Sequence, residues 1–211
     1  RASLQWLTDH PAVDATRIGL WGFSYSGGHV IQMAALDPRV KTVVSLAPAT
    51  DVLAQFAILA GKDGLTDLLA AVTAEQMPRI LGAPERRVPV VAAPGEFCVL
   101  PSPDSAEWFL ETQKTVAPGW LNEVPMQTVG RMADYAPGHF IDLVSPKPLY
   151  IAAATEDVLC PLAITERHFK RAGEPKRLDL FEGGHFDFFP PSGTLFEPAV
   201  SAMLAWYEET L

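Results

Sequence analysis

Apolar residues in this chain fall into short runs separated by helix-length stretches. Ile18-Gly19-Leu20-Trp21 is one such run, and the segment from His29 to Leu36 behind it reads as a helix with few breaks. A strand is therefore predicted at 17–22, with the next at Lys41–Ala47 after the turn LDPRV, a third at Lys147–Ala154 and a fourth at Lys176–Phe181. Residues 3–9 look like the end of an amphipathic helix, and further helices are predicted from about 162 to 172 and from 196 to 209. Strand alternating with helix implies an α/β fold, a mostly parallel sheet with helices on its faces. The stretch 51–143 breaks this rhythm. It contains two helical segments (DVLAQFAILA and LTDLLAAVTAEQMPRIL), a hairpin expected around Pro94-Gly95, and a further helix in SAEWFLETQKTV. The organisation predicted is a core at 1–50, a cap or lid at 51–143 and a return to the core at 144–211. The cap is expected over the sheet's carboxyl edge, where open α/β sheets bind ligands.

Composition narrows this picture. The chain has 211 residues, 48% of them hydrophobic and 19% charged, enough for one packed domain or a core plus an insertion. Its net charge of -9 has the wrong sign for holding a phosphate backbone, so nucleic acid is not an expected partner. No apolar run approaches the roughly 20 residues that span a bilayer, and no leader pattern is present, so no membrane partner is expected. Cys98 and Cys160 are too few for a disulfide framework and lack metal-ligand spacing; they read as reduced thiols of a cytoplasmic protein. The first residue is Arg1 and not Met, from which we expect that the chain was processed or belongs to something longer.

Candidate chemistry lies in the loops after the strands. WGFSYSGG sets Ser24 and Ser26 on a strand-to-helix turn, where a serine hydroxyl can stand above the sheet beside a helix N-terminus. Ser24 is the better nucleophile because Gly22 falls where the strand ends, leaving Ser26 as the small residue of the turn. A serine needs a base, and the base needs an orienting group. ATEDVLCP after the third strand offers Asp157, with Glu156 as a rival, and FEGGHFDFF after the fourth offers His185, with Asp187 as a further acid. Loops at one end of a parallel sheet converge, so Ser24, Asp157 and His185 can meet there. His10, His29, His139 and His168 follow no core strand in this way and read as structural.

RIGLWGFSYSGGHV, LYIAAATEDVLCP and FEGGHFDFF, with the cap segment APGEFCVLPSPDSAEWF, resemble the α/β-hydrolase superfamily, in particular its dienelactone-hydrolase-like and acyl-peptidase-like members. The resemblance puts the nucleophile on Ser24, the acid on Asp157 and the base on His185. It also implies that the amide of Tyr25 donates to an oxyanion. In that superfamily the nucleophile strand is preceded by others, one of which supplies a second oxyanion donor. An upstream segment or a second chain is therefore expected to cover the strand at 17–22. The implied activity is cleavage of a carboxylic ester, a small-molecule substrate, through an acyl-enzyme; Trp108 and Trp120 of the cap are candidates for substrate contact. Acyl transfer from the same intermediate and an inactive hydrolase-like module are the alternatives. No cofactor and no metal are implied.

Overall fold

The computed structural model describes residues 1–190 and 192–211. In chain order the elements are α1 (Ala2–Asp9), β1 (Ile18–Phe23), α2 (Tyr25–Leu36), β2 (Val40–Leu46), α3 (Val52–Ala74), α4 (Gln76–Ile80), β3 (Arg87–Val88), α5 (Pro103–Thr115), β4 (Val124–Pro125), α6 (Met126–Ala133), β5 (Leu149–Ala154), α7 (Leu162–Phe169), β6 (Lys176–Phe181) and α8 (Phe196–Thr210). Two 3₁₀ turns lie at Pro137–Leu143 and His185–Phe188.

β1, β2, β5 and β6 form one parallel sheet in that order. Successive side chains leave opposite faces of a strand, so neighbours serve different cores. Val43 and Ile151 join Leu4, Val30, Ile31 and Ala34 beneath α1 and α2, while Val44 and Ala152 join Ala199, Met203 and Trp206 beneath α8. A sheet covered on both faces selects unbroken apolar strands. Every residue of β5 is accordingly buried.

β1 bonds only to β2, and among the described residues its other edge has no strand partner. Ile18 is 5% exposed, in the cluster that contains Leu4 and Ile31, whereas Leu20 is half-buried and Trp21 is 48% exposed. These figures describe the faces of the sheet. The backbone N–H and C=O groups of an unpaired edge remain open to pairing.

The segment 51–143 has its own apolar cluster around Phe56, Val88, Val99, Met126 and Val129. That cluster takes in Ala49, Leu159, Cys160 and Phe186, which follow β2, β5 and β6, so the insertion packs against the sheet's carboxyl edge. The first of its two expected helices and most of the second run together as α3, whose backbone turns at Gly61 (φ 67, ψ 177), a conformation open to glycine without steric cost, and the end of the second is the separate α4. The hairpin expected around Pro94-Gly95 does not form as a strand pair. Arg87–Val88 pairs instead with Val124–Pro125, antiparallel. Val99 and Leu100 donate only to the carbonyls of Pro89 and Val90, at 3.1 and 2.8 Å. Pro89 and Pro101 have no N–H to extend that ladder. The side-chain oxygen of Asn122 accepts from the N–H groups of Val90 and Val91, at 3.1 and 3.0 Å, in place of a strand.

Candidate active site

One residue separates β1 from α2, and it is Ser24. Its backbone sits at φ 56, ψ -118, a left-handed conformation that costs a non-glycine residue about 1–3 kcal/mol. The surrounding chain holds it there. Ser24 N–H donates to Leu46 O at 2.8 Å, and Ser24 O accepts from Ala49 N–H at 2.9 Å, both groups belonging to the end of β2 and the loop after it. The turn also explains Gly22: a Cβ there would lie 2.2 Å from the carbonyl oxygen of Ser26 and 2.5 Å from its carbon. Ser26 itself is exposed on the first turn of α2. Of the two serines, Ser24 occupies the bend.

The loops after β5 and β6 complete a chain of hydrogen bonds. His185 Nε2 lies 2.9 Å from Ser24 Oγ, and His185 Nδ1 lies 2.6 Å from Asp157 Oδ2. With the carboxylate accepting at Nδ1–H, the Nε2 lone pair faces the serine hydroxyl. The other oxygen of Asp157 accepts from the N–H groups of Leu159 and Cys160, at 2.9 and 2.7 Å. Asp157 and His185 are 5% and 1% exposed. Of the two apolar residues that follow the acid, Leu159 is buried but Val158 is exposed, and it is backbone amides that aim the acid. Glu156 is exposed, while Asp187 accepts from Gly184 N–H and Ser192 Oγ–H, both at 2.8 Å, and so braces the histidine loop from within. His168 is buried against Thr50, with 3.0 Å between Nδ1 and Oγ1.

A solved structure described as α/β hydrolase GrgF from Penicillium sp. sh18 superposes on 99% of this chain and 69% of its own, with a TM-score of 0.79 at 22% identity. The chain has the α/β-hydrolase fold. A family model described as X-Pro dipeptidyl-peptidase (S15 family) matches residues 2–81. A thiohydrolase from Aspergillus aculeatus is 26% identical over 223 residues, covering 99% of the chain and 67% of the relative. A polyketide transferase from Gibberella fujikuroi is 25% identical, covering 88% of the chain and 64% of the relative. The chain thus spans about two thirds of the length of the curated relatives it matches, 64% for the transferase.

Around Ser24, His185 and Asp157, Tyr25 begins α2, whose i→i−4 ladder starts with Gly28 N–H donating to Ser24 O. The N–H of Tyr25 therefore precedes the ladder, as the first turn of any helix does. Phe23 packs on the His185 ring with centroids 4.7 Å apart. Trp108 stacks on Phe186 at 5.0 Å and donates its Nε1–H to Pro190 O at 2.8 Å, so it bears on the histidine loop. Trp120 lies farther out, against Phe109 at 5.2 Å.

Sequence reasoning passed over two residues here. Cys160 is buried with its sulfur against the polar side chains of Ser24 and Gln55, and burial pushes its thiol well up, which keeps it protonated. Its signal was its position three residues after Asp157. Gln55 gave no signal, being a polar residue in an apolar helix. Asp157, Cys160 and His185 each bring a potential metal donor within 4.8 Å of the others. The carboxylate and imidazole donors are already engaged in the hydrogen bonds described, and the grouping follows from the triad. Beyond Phe56, Val99 and Val129, which also line the cluster containing Cys160 and Phe186, opens a largely apolar cavity of about 650 Å³.

Proposed function

We propose that this chain carries the chemistry of a serine hydrolase that cleaves carboxylic esters through an acyl-enzyme. The observation that carries this reading is the unbroken hydrogen-bond path from Asp157 through His185 to Ser24 at the carboxyl edge of the sheet. In the reaction, Ser24 Oγ attacks the ester carbonyl as His185 Nε2 takes its proton. The imidazolium so formed is stabilised by Asp157 and returns that proton to the departing alkoxide. Water, deprotonated by the same nitrogen, then releases the acid. The oxyanion forms beside the Tyr25 N–H at the positive end of α2, and removal of one such donor typically costs about 10² to 10³ in turnover. The cavity of the inserted segment is lined by Phe56, Leu59, Leu68, Phe97 and Val129, and through Phe56, Val99 and Val129 it adjoins the cluster that holds Cys160 and Phe186, which favours a partly apolar acyl group. The open edge of β1 supports pairing there by a strand from a further segment or a second chain.

Acyl transfer is the second reading, with an alcohol or amine in place of water; the likeness to a polyketide transferase favours it. An inactive module is disfavoured by the strained backbone kept at Ser24, which a merely structural turn has no need of. A fluorophosphonate probe tests the nucleophile. It is expected to label Ser24, to leave the Ser24→Ala variant unlabelled, and to label Ser26→Ala. A probe adduct mapped to Ser26 by peptide mass would overturn the assignment.

A further inference from the structure

Asp51 caps α3, accepting from Ala54 N–H at 3.1 Å, and this fixes which residues of the first two turns face inward. They are Val52, Gln55 and Phe56. Two of the three are apolar, as the interior demands; Gln55 is not. It is only 4% exposed, and its Nε2 is the one buried side-chain donor or acceptor without a hydrogen-bond partner among the described residues. Its side chain and that of Ser24 both adjoin the Cys160 sulfur. A thiol sulfur is a weak acceptor, so this contact leaves the amide underused. On the next position of the helix, Phe56 lines the apolar cavity. Through Cys160, Gln55 thus lies within about two hydrogen-bond lengths of the Ser24 hydroxyl, roughly 7 Å or less.

A buried amide donor with no acceptor is unfavourable in the free protein and becomes favourable once a ligand supplies an oxygen. An apolar pocket reads shape weakly, whereas a pocket with a waiting donor rejects analogues that lack the acceptor. The distance suits an acceptor two or three bonds beyond the carbonyl carbon held at Ser24. We infer that Gln55 is a specificity-determining residue whose Nε2–H donates to an ether, hydroxyl or carbonyl oxygen on the acyl group, so that the substrate class is acyl esters oxygenated near the scissile carbonyl. This rests on the serine-hydrolase reading above.

The test compares isosteric 4-nitrophenyl esters: pentanoate against ethoxyacetate and 3-methoxypropanoate, in which one oxygen replaces one methylene. Each kcat/KM is divided by the ester's alkaline hydrolysis rate to remove intrinsic reactivity. The unsubstituted protein is expected to favour at least one oxygenated ester by about 10- to 100-fold. In Gln55→Met, which keeps volume and removes the donor, that ratio is expected to collapse and then favour pentanoate by a few fold. Turnover of all three esters without discrimination overturns the assignment of Gln55 and leaves the hydrolase reading intact; absence of both turnover and probe labelling overturns both. Discrimination that persists in Gln55→Met also overturns it. The comparison in the unsubstituted protein stands without any variant, so a misfolded Gln55→Met does not remove the test.

Discussion

Replacing Gly22 by alanine probes how tightly the bend at Ser24 is built. The new Cβ would lie 2.2 Å from Ser26 O and 2.5 Å from Ser26 C, both backbone atoms of α2. Van der Waals contact requires about 1 Å more, and no side-chain rotation can supply it. Either the end of β1 or the first turn of α2 must move. Overpacking a well-packed site costs about 1–3 kcal/mol and occasionally more, and a clash against backbone belongs at the upper end. Taking about 3 kcal/mol and a urea slope of about 2 kcal/mol per molar, the unfolding midpoint should fall by about 1.5 M. Activity should fall as well, because a shift of about 1 Å between nucleophile and base can cost about 10²-fold. Urea unfolding followed by tryptophan fluorescence and steady-state hydrolysis of a 4-nitrophenyl ester measure the two effects. Gly119→Ala is the control, since a Cβ there meets nothing within 4 Å. Were Gly22→Ala to match the unsubstituted protein in both midpoint and kcat/KM, the register that centres the turn on Ser24 would be wrong.

Asp157→Asn should lower kcat by about 10⁴-fold. The amides of Leu159 and Cys160 hold the side-chain oxygen on their own side, so the new NH₂ faces His185 Nδ1 and forces the tautomer with hydrogen on Nε2, which has no lone pair for Ser24. Steady-state kinetics measure this, and a loss of less than tenfold would move the orienting role elsewhere. Asp37→Asn addresses pH dependence. The Arg39 side chain hydrogen-bonds the Asp37 carboxylate, with Nη2 to Oδ2 at 2.6 Å, and holds its pKa well below the usual range. A depressed native pKa stabilises above the unfolded value of about 3.9 and ceases to do so as pH falls through the native one. The variant should therefore melt lower at pH 7 and the gap should narrow progressively as pH falls below about 4, as thermal unfolding across pH will report; a gap that is constant with pH would contradict the ion pair.

The four core strands were legible because both faces are covered, so each reads as an apolar run, and because Gly22, Pro48 and Gly183 mark the loops after β1, β2 and β6. Ser24, Asp157 and His185 were legible for the same reason: they follow strands of one parallel sheet. The insertion was less so. Helix α6 was missed because Gly130 reads as a breaker, whereas in the fold it marks close packing, with a Cβ there 2.7 Å from Val72 Cγ1. The pairing of β3 with β4 joins residues more than thirty positions apart, which no local pattern encodes. Gln55 illustrates the same limit, since a polar residue on a helix is ordinarily read as solvent-facing and only tertiary placement turns it inward.

The insertion leaves and re-enters the core at a single place. Val52 N–H donates to Tyr135 O at 3.0 Å and Gly138 N–H to Thr50 O at 2.8 Å, so the two ends are clasped side by side. Topologically everything between them is a closed loop on an otherwise contiguous sheet, and the free energy of closing such a loop grows only with the logarithm of its length. Its helices can therefore be lengthened, shortened or exchanged for others without altering the register of β2 against β5. Evolution and engineering alike are free to treat this segment as a replaceable attachment, changing its own surfaces while the sheet beneath it stays in place.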